Sequence, residues 1–103
     1  MSNIETFESM LKKGNDNPLL RYSLGNEYLK EGSHLKAIEH LSKAVAQKED
    51  YSAAWKLYGK ALAENKQTEE AIRIYSKGIQ IAETNGDKQA VKEMQVFLKR
   101  LSK

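Results

Sequence analysis

A chain of 103 residues with a mass of 11.7 kDa holds a single domain, and its composition of 40% hydrophobic and 30% charged residues is polar for a globular protein without being that of a disordered one. The absence of cysteine excludes disulfide scaffolds, thiol catalysis and zinc sites built on thiolates. The formal charge of +3 is uneven: seven Lys/Arg face eight Asp/Glu in residues 1–51, and ten face six in residues 52–103. That is a mild basic excess, not the dense stripe of a nucleic-acid binder.

Met1-Ser2-Asn3-Ile4-Glu5 lacks a basic region followed by an apolar stretch, so it does not read as a secretory signal. No window reaches the roughly 18 apolar residues of a membrane span. The expectation is a cytoplasmic protein that makes no membrane contact. Residues 3–13 read as a first helix, with Ile4, Phe7, Met10 and Leu11 at helical spacing, Asn3 as cap and Gly14 as stop.

The next helix starts at Asn17-Pro18, a capping residue followed by a proline suited to the first turn. Leu20, Leu24 and Tyr28 form its stripe with Gly25 beside them, and Gly32 ends it. Ser33 is placed to cap a third helix carrying Leu35, Ile38, Leu41 and Val45, with Ala37 and Ala44 alongside. A fourth helix begins with Ser52 as cap and carries Trp55, Tyr58 and Leu62 with Gly59. A fifth follows the Asn65-Lys66-Gln67 turn, with Thr68 as cap and Ala71, Ile72, Tyr75, Gly78 and Ile79 on its stripe. After Asn85-Gly86, Asp87 caps a last helix with Ala90, Val91, Met94, Phe97, Leu98 and Leu101 on one side and Lys88, Lys92, Lys99, Arg100 and Lys103 on the other.

These elements repeat with a period of 34 residues. Gly25, Ala37, Ile38, Ser42, Lys43 and Glu49 fall on Gly59, Ala71, Ile72, Ser76, Lys77 and Glu83. Leu24 pairs in kind with Tyr58, Tyr28 with Leu62, Leu41 with Tyr75, Ala44 with Gly78 and Val45 with Ile79. A glycine inside a helix costs about 1 kcal/mol relative to alanine. On an apolar face it lets a partner helix come close, which predicts two tightly packed antiparallel helices per repeat. Shifted by the same period, residues 3–13 match the second helix of a repeat. The last helix is slipped by about two residues. The expected architecture is all-α, one domain over 1–103 with about six helices: a half-repeat at 3–13, repeats at 18–51 and 52–85, and a capping helix at 87–102.

The run Trp55-x-x-Tyr58-Gly59-x-x-Leu62 followed by Ala71-x-x-x-Tyr75-x-x-Gly78 resembles the tetratricopeptide repeat, whose pattern is W-x-x-L-G-x-x-Y, then A-x-x-x-F, then a proline. The first copy, with Leu24-Gly25-x-x-Tyr28 and Ala37-x-x-x-Leu41, departs by placing Arg21 at the tryptophan position, and Glu49 and Glu83 stand where the proline is usual. The resemblance implies a helix-pair solenoid whose concave groove, lined by the first helix of each pair, binds partner proteins. It places Leu19, Tyr22, Asn26, Leu29, Lys30, Ala53, Lys56, Lys60 and Ala63 toward that groove. Tyr22, Asn26, Lys30, Lys56 and Lys60 are the candidates for binding a peptide, with Asn26 suited to its backbone and the two later lysines to a carboxylate. Some tetratricopeptide domains hold acidic chaperone tails in a clamp of Lys, Asn and Arg. Asn26 occupies the asparagine place, but Tyr22 stands where that clamp has lysine and a third repeat's basic pair is missing.

No catalytic constellation is present. His34 and His40 are six apart, not on one face, and no acidic cluster completes a metal site. G-x-S-x-G, G-x-G and phosphate-loop patterns are lacking. The expected function is a non-catalytic adaptor without cofactor or metal that takes a partner's peptide, of acidic character, in its groove. The alternative is a scaffold that self-associates through its terminal helices. The last helix lacks aromatic residues for base stacking on its basic face, which argues against nucleic acid.

Overall fold

The computed structural model describes residues 2–102, which form six α-helices and no strand: α1 (Asn3–Lys12), α2 (Pro18–Lys30), α3 (His34–Gln47), α4 (Ser52–Glu64), α5 (Thr68–Asn85) and α6 (Lys88–Leu101). The molecule measures 40 × 28 × 18 Å. α2 pairs with α3 and α4 with α5, each helix touches its chain neighbours, and α2 also touches α4 and α4 touches α6. α1 packs mainly on α2. Burial on folding comes from two linked clusters. One gathers Leu20, Leu24, Tyr28, Ala37 and Leu41, the other Trp55, Leu62, Ala71, Tyr75, Ala82 and Met94, and the partly buried Tyr22, Ile38 and Tyr58 touch both.

Gly25 and Gly59 set the distance within each pair. A Cβ at Gly25 would lie 2.4 Å from Leu41 Cγ, and one at Gly59 2.5 Å from Tyr75 Cε1. Leu41 and Tyr75 are themselves 0% and 2% exposed, so neither can swing aside.

The helix ends correct the sequence reading in detail. Asn17 Oδ1 accepts from Leu20 N at 2.9 Å and Asp87 Oδ1 from Ala90 N at 3.1 Å, as their residue types dictate. α1 is capped by Ser2 rather than Asn3, its Oγ accepting from Glu5 N at 3.2 Å. Ser33 sits at the cap of α3, but its hydroxyl donates to Glu31 at 2.7 Å. Ser52 and Thr68 are first helical residues, and the caps are Tyr51 and Gln67, whose side chains make no capping bond. Ser52 is buried and its Oγ accepts from Asn85 Nδ2 at 3.3 Å. Asn85 Nδ2 also donates to Asp50 O at 2.7 Å, tying the end of α5 to the α3–α4 connection. Trp55 Nε1 donates to Glu49 O at 2.7 Å, so the residue at the usual proline place contributes its carbonyl.

The turns within both repeats are built alike. Ser33 N donates to Tyr28 O at 2.9 Å around Gly32, whose φ is 82°. Gln67 N donates to Leu62 O at 2.9 Å around Lys66, whose φ is 65°. Lys66 therefore holds the left-handed conformation that a glycine supplies in the first repeat. The slip of the last helix also has a structural cause. α5 runs 18 residues where α3 runs 14, and the connection after it is shorter, so α6 starts two residues late.

Arg21, at the tryptophan position of the first repeat, is 7% exposed and charged. Asp16 holds its guanidinium with two hydrogen bonds of 2.8 Å. Gln47 Nε2 donates to the same carboxylate at 2.8 Å. Arg21 Nη1 donates to His40 Nδ1 at 3.0 Å, and because a guanidinium has only donors, Nδ1 must be unprotonated and the imidazole neutral. The ring of His40 stacks on Tyr28, with centroids 5.5 Å apart, and its Nε2 lies 3.8 Å from a carboxylate oxygen of Glu8. Tyr28 donates its hydroxyl to Glu8, and that bond pushes the phenol up to about 12. Burial pushes the His40 imidazole below its ordinary pKa, with the Arg21 cation acting in the same direction and Glu8 against it. Hydrogen bonding from Arg21 holds the Asp16 carboxyl far below the usual carboxylate range.

Three outcomes follow for stability. Gly59→Ala lowers the melting temperature, because overpacking of about 1–3 kcal/mol exceeds the roughly 1 kcal/mol gain in helix propensity. Lys66→Gly raises it by several degrees, since relief of a left-handed side chain is worth about 1 kcal/mol and that shifts a domain of this size by about 4–8 °C. A calorimetric scan of each variant reads both. His40 is depressed in the folded state, so below about pH 6.5 the unfolded chain binds the proton first and stability falls. Asp16 continues the loss below about pH 4, where the unfolded carboxylate takes its proton. In urea titrations at pH 7 and pH 5, His40→Gln, which keeps an acceptor for Arg21 without titrating, loses less stability than the parent. Equal losses would show that His40 is not the group involved.

Candidate binding groove

α2 touches α4 and α4 touches α6, whereas α3 and α5 do not touch. The pairs therefore splay on the side of their second helices, and α2, α4 and α6 form the concave layer. Two hollows lie along it where successive first helices meet. The smaller, of about 130 Å³, is lined by Asn26, Leu29 and Lys30 of α2 and by Leu57, Lys60 and Glu64 of α4. The larger, of about 240 Å³, is lined by Lys60, Ala63 and Glu64 of α4, Tyr75 of α5 and Phe97, Arg100 and Leu101 of α6. The 34-residue period relates them, since Asn26, Leu29 and Lys30 correspond to Lys60, Ala63 and Glu64.

Of the five residues singled out in sequence, three meet. Asn26, Lys30 and Lys60 line the smaller hollow together. Asn26 is half-buried, and Lys30 and Lys60 are exposed. Lys30 Nζ lies 3.2 Å from Glu27, whose other oxygen accepts from Asn3 at 3.4 Å. Lys56 is engaged elsewhere, its Nζ lying 3.0 Å from Glu93 of α6 and bridging two first helices within the protein. Tyr22 packs its ring 5.1 Å from that of Tyr51, which draws it toward the α3–α4 connection. Leu29 belongs to the core at 8% exposure, while Leu19, 64% exposed, edges a separate hollow with Phe7 and Met10 between α1 and α2.

Sequence reasoning did not place Phe97, Arg100 and Leu101 in the groove. Their apolar and basic character was visible, but the extra turn of α5 decides which side chains of α6 come round to α4. The Arg21 cluster was missed because a charged residue at a core position gives no sign of its partners at 16, 40 and 47. Among the described residues, no group of three or more His, Cys, Asp or Glu is placed to hold a metal ion. No described helix is long and apolar enough to cross a membrane.

Comparison with known proteins agrees with the fold. The family model of the tetratricopeptide repeat matches residues 28–93. A TPR repeat-containing protein of Pseudomonas aeruginosa is 48% identical over 100 residues, covering 97% of this chain and 95% of its own length. A protein of Bordetella parapertussis, known from a solution structure, superposes with a TM-score of 0.87 at 39% identity, over 99% of this chain and 89% of its own. The tetratricopeptide repeat domain protein of Salinibacter ruber, in a crystal structure, superposes with a TM-score of 0.78 at 26% identity, over 84% and 97% of the two chains. The helix pairs, their glycine contacts and these likenesses place the chain in the tetratricopeptide repeat family, to which it belongs.

Proposed function

We propose that this chain is a non-catalytic cytoplasmic adaptor that takes a peptide segment of a partner protein into the groove of α2, α4 and α6. Tetratricopeptide repeats mediate protein–protein contacts through extended concave surfaces of this kind. The observation that carries the reading is the meeting of Asn26, Lys30 and Lys60 around one hollow of the inner layer. An amide side chain there can pair with a peptide backbone, and the Lys60 ammonium favours a partner with carboxylates. Tyr22 and Lys56 support the groove from its flank and from the α4–α6 contact, where each already has a partner within the protein. The second reading, self-association through the terminal helices, draws on Met10 of α1 and Val96 of α6, 39% and 48% exposed. A single monomeric species in sedimentation velocity at high protein concentration removes it.

The groove is tested by immobilising the chain and its Asn26→Ala/Lys60→Glu variant and comparing the proteins each retains from an extract of the native organism. The variant retains at least about tenfold less of the specific partners, as expected for loss of central contacts worth more than about 1 kcal/mol each. Equal retention rejects the groove as the binding face.

A further inference from the structure

The larger hollow differs from its counterpart one repeat earlier in two ways. Leu29 lines the α2–α4 hollow of about 130 Å³, whereas the next hollow, of about 240 Å³, has the smaller Ala63 at the corresponding position. Aromatic side chains wall it as well: Tyr75, whose ring lies 5.8 Å from that of Phe97. A space below the roughly 300–1,000 Å³ of small-molecule sites suits one large apolar side chain rather than a metabolite.

The charges around it are also distinctive. Lys30 and Lys56 have carboxylate partners at 3.2 and 3.0 Å. Among the described residues neither Lys60 nor Arg100 has one. The Arg100 guanidinium lies 6.0 Å from the Phe97 ring centroid, a cation–π contact that favours its position beside the hollow. The single carboxylate of the lining, Glu64, lies 3.4 Å from His34 Nε2. Two cations with no ion-pair partner among the described residues thus stand beside an apolar space.

We propose that this hollow is the anchoring subsite of the groove, and that its occupant is an internal segment of a partner protein in which a leucine or aromatic residue adjoins an aspartate or glutamate. The apolar side chain enters between Ala63, Tyr75 and Phe97. The neighbouring carboxylate is held by Lys60 and Arg100, the latter able to meet both oxygens at once. The segment then runs on past Lys60, which borders both hollows, toward Asn26. This inference rests on the groove reading above and names the chemistry that reading leaves open.

The test selects random peptides displayed with their C-termini fused to a phage coat protein, so that only side-chain carboxylates are offered, on the immobilised full chain. The selected sequences share an apolar–acidic pair. As free amidated peptides they bind the parent at least about tenfold more tightly than Ala63→Leu, which fills the hollow with the residue of the equivalent position, and than Arg100→Glu. Circular dichroism establishes that both variants keep the helical fold, and Lys60→Ala replaces Arg100→Glu if the latter does not. Peptides whose binding ignores Ala63→Leu and Arg100→Glu but is lost in Asn26→Ala/Lys30→Glu overturn the subsite and leave the groove standing. Peptides indifferent to every variant, or no enrichment at all, overturn both.

Discussion

The structure depends on how closely the two helices of a pair approach, and two atoms' worth of missing side chain set that distance. With only hydrogen at Gly25 and Gly59, Leu41 and Tyr75 press into the opposing helix and seal it. Gly78 plays the same part between pairs, since a Cβ there would lie 2.7 Å from Met94 Sδ and 2.9 Å from Trp55 Cβ. Contacts of one kind thus join α2 to α3, and α4 to α5 to α6. A thin array without a deep core must obtain its cohesion from such local fits, because each helix can bury its apolar face only against its neighbours.

The fold was legible in the sequence because these fits recur. A glycine on an apolar stripe means little once, but a second glycine 34 residues later, flanked by the same kinds of residue, fixes the period, the pairing and the tight packing together. The weaker part of the sequence reading concerned features that do not recur. The N-caps at Ser52 and Thr68 failed because Ser52 is bonded by Asn85 from another helix and because the α4–α5 turn repeats the geometry of a glycine turn on a lysine. Both causes lie in the backbone or far along the chain. The groove was legible to the same extent. Asn26, Lys30 and Lys60 meet because the period carries them to matching faces. Lys56 was misjudged as available because its partner, Glu93, lies beyond the slip introduced by the longer α5.

Arg21 illustrates how one repeat can differ from the next without losing its shape. The second repeat fills this position with Trp55, apolar apart from one N–H that finds Glu49 O. The first fills it with a cation, and the surroundings change to suit: Asp16 and Gln47 on one side, an unprotonated His40 nitrogen on the other. Burying a charge is costly unless it is paired and hydrogen-bonded, and no buried side-chain nitrogen or oxygen among the described residues lacks a partner. Specific polar geometry here does what bulk does 34 residues later.

α1 packs mainly on α2, reaches α3 through Glu8 beside His40, and contributes no fully buried side chain. Its hold rests on the partly buried Ile4, Phe7 and Leu11 and on Glu8, which reaches the Tyr28 hydroxyl. Such an element lies at the low end of the free-energy ladder for local opening, well below the cost of unfolding the paired helices. Its amides exchange with solvent ahead of those of the paired helices, and each opening bares the Leu20–Leu24–Tyr28 face of α2 for a moment. The molecule is therefore graded along its length: a latch that lifts at one end, and a rigid block from α2 onward that stays folded while it does.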